Sequence, residues 1–128
     1  MSEGRDGNRA LVERYFAAIN ADDFEALAGV WAPDARFEAV GARPREGVGE
    51  IVAMYRRLFE PWAVHRDEPT RILQDGDTLT VEVRFSGTTH DGRELSFDAV
   101  DVIDVADGRI QRLSNWYDIA FVRRAMAA

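Results

Sequence analysis

From Thr78 onward the chain alternates apolar and polar residues with period two and is cut by Asp-Gly pairs, and this pattern restricts the fold more than any other feature. Asp75-Gly76, Asp91-Gly92 and Asp107-Gly108 are turn dipeptides suited to the positive backbone angles of tight hairpins. The run Thr78 to Phe85 puts Leu79, Val81, Val83 and Phe85 on one face. Glu94 to Val105 follows as a long strand, then Arg109 to about Asp118, and Arg71-Ile72-Leu73 reads as one more short strand ahead of them. Strands joined by tight turns form an antiparallel meander with one buried face.

The first half carries a helical period instead. A helix is expected from Asn8, a good N-cap, to Asn20, with Leu11, Val12, Tyr15, Phe16 and Ile19 in one stripe. Residues 1–7, which include no apolar segment, are expected to be disordered and to be no signal peptide. Asp22 or Asp23 caps a second helix bearing Phe24, Leu27, Ala28 and Trp31, ended by Pro33-Asp34. A strand from Ala35 to Val40 leads through turn residues Gly41 to Gly47 into a third helix, Val48 to Glu60, closed by Pro61. Phe121 to Ala128 forms a short helical tail. With no linker or repeat, residues 1–128 are expected to make one domain of the α+β class. Three N-terminal helices pack on one face of a curved antiparallel sheet, enclosing a pocket of the kind that takes small ligands.

Composition then removes chemistries. Without cysteine there is no disulfide, thiolate nucleophile or Cys-ligated zinc. All 16 basic residues are arginine, so a lysine Schiff base and a P-loop lysine are excluded. A net charge of −7 disfavours nucleic acid and anionic membranes as partners, and no apolar run is long enough to span a bilayer. The cytoplasm is the expected compartment. No paired-histidine spacing suggests a metal, no nucleotide-binding glycine motif is present, and no cofactor is implied.

One acid breaks the apolar alternation. In the strand that contains Phe97 to Val105, Phe97, Ala99, Asp101, Ile103 and Val105 share a face, so a single carboxyl stands among four apolar side chains. Desolvation raises the pKa of such a group and fits it for proton transfer near neutrality. The other reading is a structural aspartate held by backbone N–H groups or by an arginine such as Arg84 or Arg112. Tyr15 and Tyr55 lie on the apolar stripes of their helices, either as packing residues or as ligand-facing hydroxyls. Leu113, Asn115 and Tyr117 share a face of the last strand, which makes Asn115 a polar handle in an apolar interior or a cross-sheet hydrogen-bonding group. His90 falls in a turn and is expected in solvent. His65 follows Trp62 in an irregular Arg/Asp/Glu-rich stretch with no defined face, and Arg56-Arg57 reads as a solvated helix face.

These elements together resemble the nuclear-transport-factor-two-like superfamily, which includes ketosteroid isomerases and SnoaL-like polyketide cyclases. Leu11 to Asp23 resembles its opening helix, and Trp31-Ala32-Pro33-Asp34-Ala35-Arg36-Phe37-Glu38 its passage into the first strand. Gly47-Val48-Gly49-Glu50-Ile51 is similar to the start of its third helix, and Asp101 to Ile110 to its closing hairpin. The resemblance runs from about residue 8 to residue 124 and implies a cone-shaped fold and a homodimer formed through the exposed sheet face. It also implies that Tyr15 and Asp101 stand where ketosteroid isomerases place a tyrosine and a protonated aspartic acid as an oxyanion hole, and where SnoaL-like cyclases use a strand aspartate as acid and base.

The departures narrow the chemistry. The isomerases' base lies within Glu-Asp-Pro-Val-Gly, where this chain has Glu38-Ala39-Val40-Gly41. Leu113 to Asp118 resembles the end of limonene-epoxide-hydrolase-like members, but their water-activating acid falls on Asn115 and their Arg/Asp pair on Val83 and Phe85. The expected function is therefore a SnoaL-like cyclase or isomerase acting on a small apolar carbonyl compound. Asp101 and Tyr15 are its catalytic groups, Asn115 and Tyr117 orient the substrate, and Tyr55, Phe59, Phe85 and Leu113 form walls. A noncatalytic binding or dimerisation module of the same fold, or an epoxide hydrolase with a rearranged site, are the alternatives.

Overall fold

The computed structural model describes the backbone of residues 2–127 and the side chains of residues 6–127. Four helices and six strands follow in the order α1 (Ser2–Asn20), α2 (Phe24–Val30), β1 (Trp31–Ala39), β2 (Arg45–Glu46), α3 (Val48–Phe59), β3 (Trp62–Asp75), β4 (Thr78–Thr89), β5 (Glu94–Ala106), β6 (Arg109–Tyr117) and α4 (Ile119–Ala127). The strands form one sheet in the order β2-β1-β6-β5-β4-β3. It is a mixed sheet: β3 to β6 form the antiparallel meander, but β1 joins β6 in parallel, with Phe37 beside Leu113 and Ala39 beside Asn115. The all-antiparallel sheet expected above is thus corrected at one seam. The first half returns its strand to the meander through helices, and that connection allows parallel entry.

Local boundaries move for identifiable reasons. The α1 helix begins at Ser2, so residues 2–7, expected to be disordered, continue the helix, while Met1 lies outside the described residues. Asn8 is therefore not an N-cap; its amide donates to Asp77 Oδ1 at 2.9 Å, tying α1 to the β3–β4 turn. Asp23 does cap α2, accepting from the Ala26 N–H at 3.0 Å. Trp31 opens β1 rather than closing α2, and Pro33 is accommodated because the β1–β6 pairing is irregular between Trp31 and Arg36. The greatest difference is β3, a continuous 14-residue strand where an irregular stretch and a three-residue strand were expected. At the β5–β6 turn, Asp107 and Gly108 both have positive φ (53° and 74°), the geometry a two-residue hairpin of matching twist requires.

The inner face of the sheet supplies Leu79, Val81, Ile103, Ile110 and Leu113, all fully buried, and the helices answer with Leu11, Val12, Leu27 and Ile51. Removing this apolar surface from water is the main favourable term of folding. The core fills the closed end of the cone. Toward the other end the inner face turns aromatic and then polar. The α4 helix lies at that end, fastened by Arg93 of the β4–β5 hairpin, whose guanidinium donates to the Met126 carbonyl at 3.0 Å. No helix among the described residues is long and apolar enough to cross a membrane.

Candidate active site

Asp101 sits on the inner face of β5, as strand alternation dictates, and only 5% of its surface is exposed. Its carboxyl has an amide partner rather than an arginine: Asn115, directly opposite on β6, donates from Nδ2 to Oδ1 at 2.6 Å. The two arginines considered as partners are engaged outside the cone, Arg84 with Asp98 at 2.5 Å and Arg112 with Glu38 at 3.4 Å. Burial pushes the Asp101 carboxyl up to about 6, against the lowering effect of the Asn115 hydrogen bond.

A second acid, absent from the sequence reading, faces the same interior. Asp67 lies on β3 opposite Phe85, and Asn20 at the end of α1 fixes its backbone with two hydrogen bonds, accepting from the Asp67 N–H at 2.7 Å and donating to its carbonyl at 2.9 Å. Burial, and then the charge of Asp101, raises its carboxyl to about 7. No described residue donates a hydrogen bond to that carboxyl. The Asp101 charge thus helps burial to keep the Asp67 carboxyl protonated close to neutrality. Glu38, the acid in the stretch that stands where the isomerases carry their base, points to the outer face, where Arg36 and Arg112 hold its carboxyl below the usual range.

Tyr15 and Tyr55 bring their hydroxyls together in a direct hydrogen bond between α1 and α3. Tyr55, read above as a wall, is thus also a polar partner of Tyr15. Burial raises both hydroxyls well above the ordinary tyrosine range, and the nearby Asp101 charge raises them further, so both stay protonated as donors. Around them Trp31 and Phe37 pack edge-on, at 5.9 Å to Tyr15 and 5.6 Å to Tyr55 respectively.

The walls separate into two groups. Phe85 belongs to an aromatic row that crosses the inner face through Trp62, Phe85, Phe97 and Tyr117, with successive centroids 5.0, 4.9 and 5.4 Å apart. Phe59 stacks on His65, with centroids 4.0 Å apart, and meets Tyr55 at a tilt, 5.9 Å away. Leu113, by contrast, is wholly enclosed between Ile103 and Phe37 in the packed end of the cone. Gly87 makes the aromatic row possible: a Cβ there would lie 2.6 Å from the Trp62 ring and 3.0 Å from that of Phe85. Gly87→Ala is expected to push Trp62 off the row and lower stability by about 1–3 kcal/mol, read by urea unfolding, with a loss of tryptophan fluorescence anisotropy at that site. An unchanged unfolding midpoint would contradict this packing.

His65, which lacked a face in the sequence, is given one by β3: its ring stacks on Phe59 and Nε2 lies 2.7 Å from Asp22 Oδ1. His90 is exposed and bonds to the Glu60 carbonyl. Among the described residues no group of three or more His, Asp or Glu side chains is arranged to hold a metal ion. A groove of about 390 Å³ crosses the opposite, outer face of the sheet, lined by Thr70, Glu82, Arg84, Asp98, Val100 and Trp116. It does not reach Asp101, which lies on the inner face.

Comparison with known proteins agrees with this architecture. The NTF2-like protein from Burkholderia pseudomallei superposes with a TM-score of 0.88 at 22% identity, covering 95% of this chain and 98% of that one. A Mycobacterium tuberculosis LEH-like epoxide hydrolase gives 0.81 at 22% identity over 98% and 92%. A protein of Sinorhizobium meliloti assigned as a polyketide cyclase gives 0.72 at 30% identity over 84% and 94%. The family model of the SnoaL-like domain matches residues 12–113. The chain therefore belongs to the SnoaL-like domain family, with the cone fold that its helices and sheet describe.

Proposed function

We propose that the protein is a cofactor-independent cyclase or isomerase that moves protons on a small, largely apolar carbonyl compound. The observation that carries this reading is the pair of interior carboxyls, Asp101 and Asp67, raised to about 6 and about 7 within reach of the hydrogen-bonded Tyr15–Tyr55 pair. One carboxylate takes a proton from the carbon beside the carbonyl. The other group, still a carboxylic acid, donates its own proton elsewhere on the same molecule, so the two carboxyls end with their protonation states exchanged. Tyr15 donates a hydrogen bond to the oxygen on which negative charge develops, with Tyr55 holding its hydroxyl in place. Asn115 keeps the Asp101 carboxyl in one orientation, and Tyr117 with the aromatic row offers flat apolar surface to the substrate. The polyketide cyclase assignment of the S. meliloti relative supports the class of substrate. The outer face, where Trp116 is more than half exposed, is where a homodimer would form.

The test is proton exchange at carbon. In deuterated buffer, a panel of cyclic ketones and enones should incorporate deuterium beside the carbonyl far faster with the protein than with free carboxylate buffer. No acceleration for any member would overturn the reading. Because the fold also hosts an epoxide hydrolase, the same protein should be given cyclic epoxides in ¹⁸O-labelled water. Label in a diol product would favour epoxide opening, with Asp67 and Asp101 as its acid and base.

A further inference from the structure

We propose that Asn20, the last residue of α1, is a positioning residue for the proton transfer, aiming the Asp67 carboxyl by gripping the Asp67 backbone. This rests on the carbonyl reading of the site just given. The Asn20 amide accepts from the Asp67 N–H at 2.7 Å and donates to the Asp67 carbonyl at 2.9 Å. Both backbone groups therefore face away from β4, where Phe85 stands opposite. β3 is an edge strand of the sheet, so no further strand covers that side. Asn20 takes the place of a neighbouring strand for this one residue.

The grip matters because no side chain steers this acid. The Asn115 amide orients the carboxyl of Asp101, whereas no described residue donates to that of Asp67. Its direction is therefore set by its own backbone, through the bond from Cα to Cβ. The ladder from β3 to β4 leaves that backbone underdetermined. Its register shifts on both sides of Asp67, between Trp62 and Val64 and between Pro69 and Arg71, and Pro69 has no N–H to give. The same helix carries Tyr15, about 7–8 Å back along its axis from Asn20. The charge of Asp67 is felt at the hydroxyls of Tyr15 and Tyr55. Asn20 thereby joins the helix that presents the oxyanion donor to the strand that presents the acid, and fixes the spacing of the two. A displacement of about 1 Å at a reacting group can cost roughly a hundredfold in rate. A second contact at this junction, Asp22 Oδ1 to His65 Nε2 at 2.7 Å, ties the end of α1 to β3 and involves neither the backbone nor the carboxyl of Asp67.

The experiment follows deuterium exchange by the full chain, with whichever of 2-tetralone, cyclohexanone and cyclohexenone the wild type exchanges fastest. Asn20→Ala should lower kcat by roughly tenfold to a hundredfold and leave KM within about twofold, since the acid is misdirected while the apolar surface is intact. The alkaline limb of the pH–rate profile, where Asp67 loses its proton, should move to lower pH as the freed carboxyl reaches more water. The titratable groups facing Asp67 are Asp101 on β5, Tyr15 on α1 and Tyr55 on α3, with His65 beside it on β3, and the substitution replaces none of them. Asp22→Ala breaks the other contact of the junction and is the control. It should lower the urea midpoint yet keep the kcat and the alkaline limb of the wild type. An unchanged kcat and limb in Asn20→Ala, a loss confined to KM, or an equal loss of kcat in Asp22→Ala would each overturn the inference. Should Asn20→Ala fail to fold, Asn20→Thr, whose single hydroxyl is too short to serve both backbone groups, takes its place under the same criteria. No exchange of any of these ketones by the wild type would overturn the carbonyl reading itself, whereas wild-type kinetics in the Asn20 variant would remove only the role of Asn20.

Discussion

Asp101→Asn is expected to slow deuterium exchange beside the substrate carbonyl by roughly a hundred- to ten-thousand-fold, the usual contribution of a positioned acid or base. The substitution keeps size and shape, and the new side chain still offers Oδ1 to the Asn115 amide that now donates at 2.6 Å. It therefore removes the titrating proton while leaving the local hydrogen bond in place. The loss should appear in kcat more than in KM, because the carboxyl acts on the proton in flight and contributes little to holding apolar surface. Binding of an unreactive ketone, read by calorimetry, should change less than threefold, about half a kcal/mol. Full exchange activity in this variant would leave the interior without its proposed acid, and the noncatalytic reading of the fold would then be preferred.

Asp67→Asn has the second large effect, and its sign is opposite for stability. An aspartate normally titrates near 3.8, and the folded protein holds Asp67 at about 7. Below the lower value both folded and unfolded chains carry the proton, and its contribution is fully present. As pH rises between the two, the unfolded chain has released a proton that the folded chain retains, so stability falls, and it levels off only above the folded value. Asp101, raised to about 6, adds a fall in the same direction over a narrower window. An asparagine at position 67 has no proton to lose. The variant should therefore be more stable than the wild type near pH 8, by something on the order of 3 kcal/mol, with the advantage gone near pH 4. Urea unfolding of both proteins at those two pH values checks it, with equal pH slopes as the contrary result. The same variant should lose exchange activity, so that a gain in stability and a loss of function arise from one carboxyl.

How far the sequence exposes this site depends on contrast between faces. Asp101 is legible because Phe97, Ala99, Ile103 and Val105 surround it with apolar residues at the same parity, so one acid stands out. Tyr15 and Asn115 are legible for the same reason, each on a stripe with apolar companions. Asp67 and His65 are not, although they obey the same alternation. Their strand reads His65-Arg66-Asp67-Glu68-Pro69-Thr70, with polar residues on both faces, and a period of two leaves no signal when neither parity is apolar. The strand after the Asp75-Gly76 turn offered an indirect sign: even as read from Thr78 to Phe85 it is longer than the three residues Arg71 to Leu73 can pair, and in the structure β4 and β3 extend to 12 and 14 residues. The Tyr15–Tyr55 hydrogen bond was hidden differently, since it depends on how α1 and α3 cross over the sheet, and stripes of apolar residues do not encode the phase between two helices.

The seam between β1 and β6 also governs how this chain reaches its native state. Turns at Gly76, Gly92 and Gly108 zip their own hairpins within microseconds, because each joins neighbours in the chain. Setting Phe37 beside Leu113 requires closing a loop made of α3 and the entire meander, the most entropically demanding step of assembly. Refolding from urea should accordingly be limited by this single long-range event. Ala39 flanks Asn115 on that seam, so the polar interior is completed only when the slow step is over, and a partly folded chain has hairpins but no site.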